Sequence, residues 1–181
     1  MAQWKIDPMH SEINFKVKHL VVSTVTGTFT DFDATIETSK EDFSDAKFTF
    51  AANVTSINTK NEQRDGHLKS PDFFDALNYP KMTFVSKLVK RISDYEMQVV
   101  GDLTIRGTTK ETTLDVLYNG TVAGFGGAQV AGFEVKGKVN RFDFGLQWNA
   151  LTEAGGVVVS NEVKIEILAE FNKVQNAAKA A

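Results

Sequence analysis

Met97–Arg106 reads MQVVGDLTIR, and Met97, Val99, Gly101, Leu103 and Ile105 alternate with Gln98, Asp102, Thr104 and Arg106. A period of two puts one set on one face of an extended chain and the other set on the opposite face. That is the pattern of a half-buried β-strand. The alternation recurs on both sides. Ile13, Phe15, Val17 and His19 oppose Glu12, Asn14, Lys16 and Lys18. Within Lys47–Ile57, Phe48, Phe50, Ala52 and Val54 share a face. Met82, Phe84, Ser86 and Leu88 share another, and Val135, Gly137 and Val139 oppose Glu134, Lys136 and Lys138. Val163, Ile165, Ile167, Ala169 and Phe171 close the chain.

Between these segments the connections are short. Trp4–Ile6 is a short first strand stopped by Asp7-Pro8. Thr26–Thr38 reads as one strand with Phe32, Ala34 and Ile36 inward. Phe29 has the wrong parity for it, which predicts a bulge near Thr30–Asp31. Arg106-Gly107-Thr108 is a turn, and Thr109–Asn119 returns as a hairpin. Gly120–Gly127, GTVAGFGG, lacks the G-K-[ST] ending and following helix of a phosphate loop and reads as a hairpin tip. Arg141–Asn149, RFDFGLQWN, reads as a turn or one helical turn rather than a strand. Eight long strands with short connections favour antiparallel pairing, and closing them into a barrel removes exposed edges. A two-sheet sandwich is the alternative; strands near ten residues favour the barrel. The expected organisation is one domain over residues 1–172 and a frayed tail over 173–181.

One stretch breaks the pattern. Ile57–Ser86, INTKNEQRDGHLKSPDFFDALNYPKMTFVS, holds two helix-start signals, an aromatic pair and two prolines. Thr59 with Glu62 fits a capping box, and Ser70-Pro71 fits a second N-terminus. Two short helices, about Asn61–Lys69 and Pro71–Ala76, are expected as a cover over the barrel mouth. Arg64 and Asp65 would anchor it to charges on the rim, and Phe73 and Phe74 would plug the opening or touch what enters.

Composition excludes several functions. The net charge of -3 with interspersed signs provides no basic field for a nucleic-acid backbone. Without cysteine there is no thiolate metal site or cysteine nucleophile. No apolar run reaches the length of a membrane span, and Met1–Glu12 lacks a signal-peptide core. As it stands the chain is expected in the cytoplasm, or in the periplasm if a leader has been trimmed. A homodimer through an edge or rim is compatible with the sequence.

Chemistry is sparse. His10, His19 and His67 are too scattered for a zinc site. Asp65 and His67, two apart on a helix, point to nearly opposite sides and make a poor catalytic dyad. What remains is apolar. Phe15, Val17, Phe48, Phe50, Phe84, Met97, Leu103, Phe133 and Val135 face inward, with Phe142, Phe144 and Trp148 close by. They form either a solid core or a pocket for a lipid tail. Each buried methylene contributes about 0.8 kcal/mol, so a tail of several isoprene units gains well over ~10 kcal/mol before association costs. His19, Arg64, His67 and Phe74 are further candidates for ligand contact.

Specific segments carry a family resemblance: WKIDPMHSEINF at Trp4–Phe15, VTGTFTDF at Val25–Phe32, the N-x-x-R-D-x-H-L run at Asn61–Leu68, YPKMTF at Tyr79–Phe84, GDLTIRGTTK at Gly101–Lys110 and RFDFGLQWN at Arg141–Asn149. In this order they resemble the YceI-like family of polyisoprenoid-binding proteins over nearly the whole chain. The resemblance implies an all-β protein with short helices: an eight-stranded antiparallel lipocalin-like β-barrel with a helical connection over its mouth. It also implies a bound polyisoprenoid or fatty amphiphile, no other cofactor and no enzymatic activity. The alternatives are an enzyme acting on such a lipid, through His67, His19 or Arg141, and a filled barrel serving stress or interaction.

Overall fold

In the computed structural model, which describes residues 1–175, eleven strands form one antiparallel sheet. They are β1 (Ala2–Ile6), β2 (Glu12–His19), β3 (Ser23–Phe29), β4 (Phe32–Thr38), β5 (Lys47–Asn53), β6 (Ile57–Asn58), β7 (Lys81–Arg91), β8 (Glu96–Ile105), β9 (Thr108–Ala123), β10 (Gln129–Asn140) and β11 (Val159–Lys173). The sheet closes because β11 pairs with β1.

The eleven strands make eight long runs. β1 and β2 pair with successive parts of the same partner, β11, on either side of a 3-10 turn at Pro8–His10. β3 and β4 lie alongside β2 and β1 and are broken at Thr30–Asp31. β5 and β6 lie alongside β4 and β3, broken by a 3-10 turn at Val54–Ser56. The breaks adjoin: Asn53 N donates to Asp31 O at 2.9 Å and Thr30 N to Ser56 O at 3.3 Å. A crease therefore crosses three neighbouring runs. The bulge expected at Thr30–Asp31 is this crease, which restores Phe29 to the inner face, where it is buried.

The wall alternates as the sequence does; β8 is buried at every second residue from Met97 to Ile105. One end of the barrel is solid. Phe43, from the connection after β4, packs against Trp4 at 5.4 Å, Tyr118 at 5.2 Å and Phe133 at 5.1 Å between ring centroids. Trp4 Nε1 is buried there without a hydrogen-bond partner.

Three boundaries differ from expectation. β9 runs on through Asn119 to Ala123, so the glycine-rich tip is shorter. β11 outruns residue 172, and Val174 N donates to Gln3 O at 2.8 Å; the rest of the expected tail, 176–181, lies outside the described residues. Pro71–Ala76 is a series of turns, not a helix. Phe74 N reaches back to Leu68 O at 3.0 Å and Ala76 N to Lys69 O at 2.9 Å, which ends any helix after one turn. Successive helical residues point about 100° apart, whereas Phe73 and Phe74 both face the interior. Among the described residues, no helix is long and apolar enough to cross a membrane.

Candidate functional site

Above the aromatic plug the barrel holds a cavity of about 230 Å³. Phe133 and Phe171 form its floor. Phe15, Val17, Phe48, Phe50, Phe84, Leu103 and Val135 stand in its walls, and Leu68, Phe73 and Phe74 cover it. Its surface is hydrocarbon almost throughout. Among the described residues, Arg141 is the one charged side chain that borders it.

The wall is kept thin by glycine. Phe15 pairs across the sheet with Gly27, and a Cβ at Gly27 would lie 2.2 Å from the Phe15 ring. A Cβ at Gly101 would lie 2.5 Å from both the Phe84 ring and Val85 O. The rings therefore lie over bare backbone, which leaves the centre of the barrel open.

The cover is a short helix, α1 (Glu62–Lys69), and the turns after it. Asn61, rather than the expected Thr59, caps α1 by accepting from Arg64 N at 2.9 Å. Thr59, 4% exposed, is the latch instead. Asp65 Oδ1 accepts from Thr59 N at 2.9 Å and from Thr59 Oγ1 at 2.5 Å. Arg64 Nε donates to Thr59 Oγ1 and its Nη2 to Thr59 O, both at 2.8 Å. Arg64 and Asp65 thus anchor the cover to a buried threonine, not to rim charges. Arg106 Nη1, in the β8–β9 turn, donates to Phe73 O at 2.9 Å and Gly145 O at 3.0 Å.

Other expected site residues surround the cavity without lining it. His67 Nε2 pairs with Asp72 at 2.8 Å, and the ring stands edge-on to Phe73 and Trp148 at 5.1 and 4.8 Å. Asp65 and His67 serve different partners. Phe142 lies under the Arg141 guanidinium at 4.7 Å, and Phe144 is buried in the core. His19 ends β2 opposite Val159. Met97 is buried in β8 but borders a shallower surface recess.

Arg141, 5% exposed, is absent from the expected contact set. It begins a 3-10 turn at Arg141–Phe144. Nε donates to Ser160 O at 2.9 Å, Nη1 to Leu146 O and Trp148 O at 2.6 and 2.7 Å, and Nη2 to Val159 O at 3.3 Å. Burial lowers its pKa from the ordinary arginine value, yet guanidinium remains charged at any physiological pH. Among the described residues no carboxylate lies within 4.0 Å of it. Its donors hold the loop over residues 145–160 against the barrel, and little remains free for a ligand.

A closed antiparallel barrel with a plugged floor, an apolar interior and a latched cover defines a lipocalin-like β-barrel. The YceI-like domain family matches residues 4–171, and the chain belongs to it. A UPF0312 protein of Staphylococcus aureus is 46% identical over 95% of this chain and 98% of its own length. A UPF0312 protein of Staphylococcus epidermidis is 45% identical over the same shares. Among solved structures, the YCEI protein of Campylobacter jejuni is 33% identical, with a TM-score of 0.75 over 87% of this chain and 90% of that one. Burkholderia cenocepacia BcnA shares the fold at 21% identity, with a TM-score of 0.80 over 91% and 98%. A polyisoprenoid binding domain from Saccharophagus degradans shares it at 16% identity, with a TM-score of 0.64 over 94% and 98%.

Proposed function

We propose that this chain holds the hydrocarbon tail of an isoprenoid or similar long-chain amphiphile in its barrel, as a carrier or store. The observation that carries this reading is the cavity: hydrocarbon walls, an aromatic floor and a cover that can trap what enters. The polyisoprenoid binding domain of Saccharophagus degradans, with the same fold, supports the choice of ligand class. The ligand's polar end stays at the cover, because the interior offers almost no polar group to meet it. At about 230 Å³ the cavity is smaller than the roughly 300–1,000 Å³ typical of ligand pockets. A long tail therefore displaces Phe73 and Phe74 outward, and the Thr59 latch sets the cost. Binding needs no acid–base pair, and Asp65 and His67, each held by another partner, form none.

Titration with polyprenols of graded length, read by tryptophan fluorescence and thermal melting, tests this. At about a hundred times Kd a bound lipid should stabilise the fold by about 2.7 kcal/mol. Failure of every chain length to bind or to raise Tm overturns the reading.

A further inference from the structure

The tip of the β2–β3 hairpin is Leu20-Val21-Val22, exposed by 40%, 74% and 85%. Leu20 and Val21 have φ of 51° and 65°. Turns with left-handed backbone ordinarily take glycine or asparagine, and a β-branched residue there is an outlier. The chain accepts left-handed backbone at Leu20 and Val21 and places apolar side chains in water at all three positions. The tip abuts a second loop. Leu20 N donates to Val158 O at 2.9 Å, and in that loop Leu151, 73% exposed, bridges to Val157, 43% exposed. The two loops form one apolar ridge, adjacent in sequence to the cavity residues Val17 and Val159.

Beneath the ridge the outer wall is basic. Lys138, Lys164 and Lys16 stand in direct cross-strand register on β10, β11 and β2, and Lys18 follows toward the tip. Like charges facing each other across strands repel. Glu162 approaches Lys138 at 3.6 Å and Glu166 approaches Lys16 at 2.7 Å. Among the described residues, Lys18 and Lys164 have no carboxylate within 4.0 Å. Glu153, in the second loop, is the one acid of the ridge itself.

Exposed aliphatic tips beside a row of ammonium groups match a membrane interface. The tips enter the acyl boundary, while long lysine side chains lay their stems along apolar surface and meet phosphate. We infer that this end of the barrel docks on the surface of a bilayer containing anionic phospholipid. Docking there sets the cavity beside the phase from which a long-chain lipid is drawn. That purpose rests on the lipid-binding reading above; the docking itself is measured separately.

The test is flotation of the full chain with vesicles of phosphatidylcholine, with and without phosphatidylglycerol. The chain should float with the anionic vesicles, less so at high salt. The Val21→Asp/Val22→Asp double variant and Lys164→Glu should each lower the bound fraction several-fold. Val122→Asp, exposed on β9 beside the tip of the β9–β10 hairpin, should leave it unchanged. A wild-type chain that does not float, or floats no better than the double variant, overturns the inference. So does a chain that ignores vesicles but forms a dimer lost in the double variant, which would assign the ridge to a second copy. Uptake of a fluorescent fatty probe without vesicles is measured alongside. Uptake kept by the double variant while flotation is lost supports docking; failure of uptake in the wild type counts against the cavity reading alone.

Discussion

The ring of Phe15 lies over Gly27, its cross-strand partner, so closely that a Cβ on Gly27 would come within 2.2 Å of Cζ. All the crowded atoms belong to the ring, which can move, and only the lumen has room for it. Gly27→Ala should therefore fold, lose about 1–3 kcal/mol from overpacking, and shorten the longest tail the barrel accepts. Urea denaturation and titration with graded polyprenols check both. Gly101→Ala is the contrast: its Cβ meets Val85 O at 2.5 Å as well as the Phe84 ring. Backbone cannot swing aside, so stability should fall further than in Gly27→Ala.

The Thr59 latch joins two charged side chains through one hydroxyl, which donates to Asp65 and accepts from Arg64. Asp65→Ala leaves the buried Thr59 N–H and O–H without their acceptor, a loss of about 1–3 kcal/mol. Arg64→Ala should cost less on its own. The two should be coupled by at least ~0.5 kcal/mol in a double-mutant cycle. Both variants should release a preloaded fluorescent fatty probe faster than the wild type in stopped flow.

Arg141 should matter more for stability than for recognition. Arg141→Met leaves the carbonyls of Leu146, Trp148 and Ser160 without their donor. The expected loss is about 3–5 kcal/mol. Arg141→Lys should recover only part of it, because an ammonium cannot reproduce the planar fork. Thermal denaturation of the two variants measures the difference.

A small pH dependence should come from the first turn. His10 Nδ1 lies 3.0 Å from Asp7 Oδ2 and 3.7 Å from Glu170 Oε1. The Asp7 hydrogen bond, then the charges of Asp7 and Glu170, raise the His10 pKa above its ordinary value. The same hydrogen bond, helped by Met9 N–H, lowers that of Asp7. A raised histidine pKa gives stability that is complete below the unfolded value and lost as pH rises through the folded one. A lowered aspartate pKa gives stability present above its unfolded value and lost as pH falls through the folded one. The Tm deficit of His10→Gln should thus be largest between about pH 4 and 6.5 and close at alkaline pH. His10 is exposed, so the deficit should be small.

The wall of the barrel was legible because each strand has one wet and one dry face, and Phe15, Phe50, Phe84 and Val135 announce the dry one by parity. The crease was legible only at Phe29, where parity fails. Its other two parts, at Pro8–His10 and Val54–Ser56, show their alignment only when strands pair. Phe43 gave no periodic signal, because it plugs the barrel from a turn at φ 56°. Met97 shares its parity with Leu103 but lies beside the plug, since period two reports the face and not the height along the axis. Sequence neighbours place His67, Phe142, Phe144 and Trp148 near the cavity. They form its collar because the chain there leaves the sheet. Arg141 was hardest to read: a charged residue seldom signals burial, and its partners are backbone carbonyls that no side-chain pattern encodes.

The central claim is that the cavity holds a lipid tail. Its most direct test is organic extraction of the purified full chain followed by mass spectrometry, with Phe50→Asp, which puts a charge in the cavity wall, as the comparison. The expected result is a long-chain isoprenoid or fatty amphiphile released from the wild type in near one-to-one amount and absent from a folded Phe50→Asp. A wild-type extract without lipid, from a protein that also fails to take up added polyprenols, would contradict it.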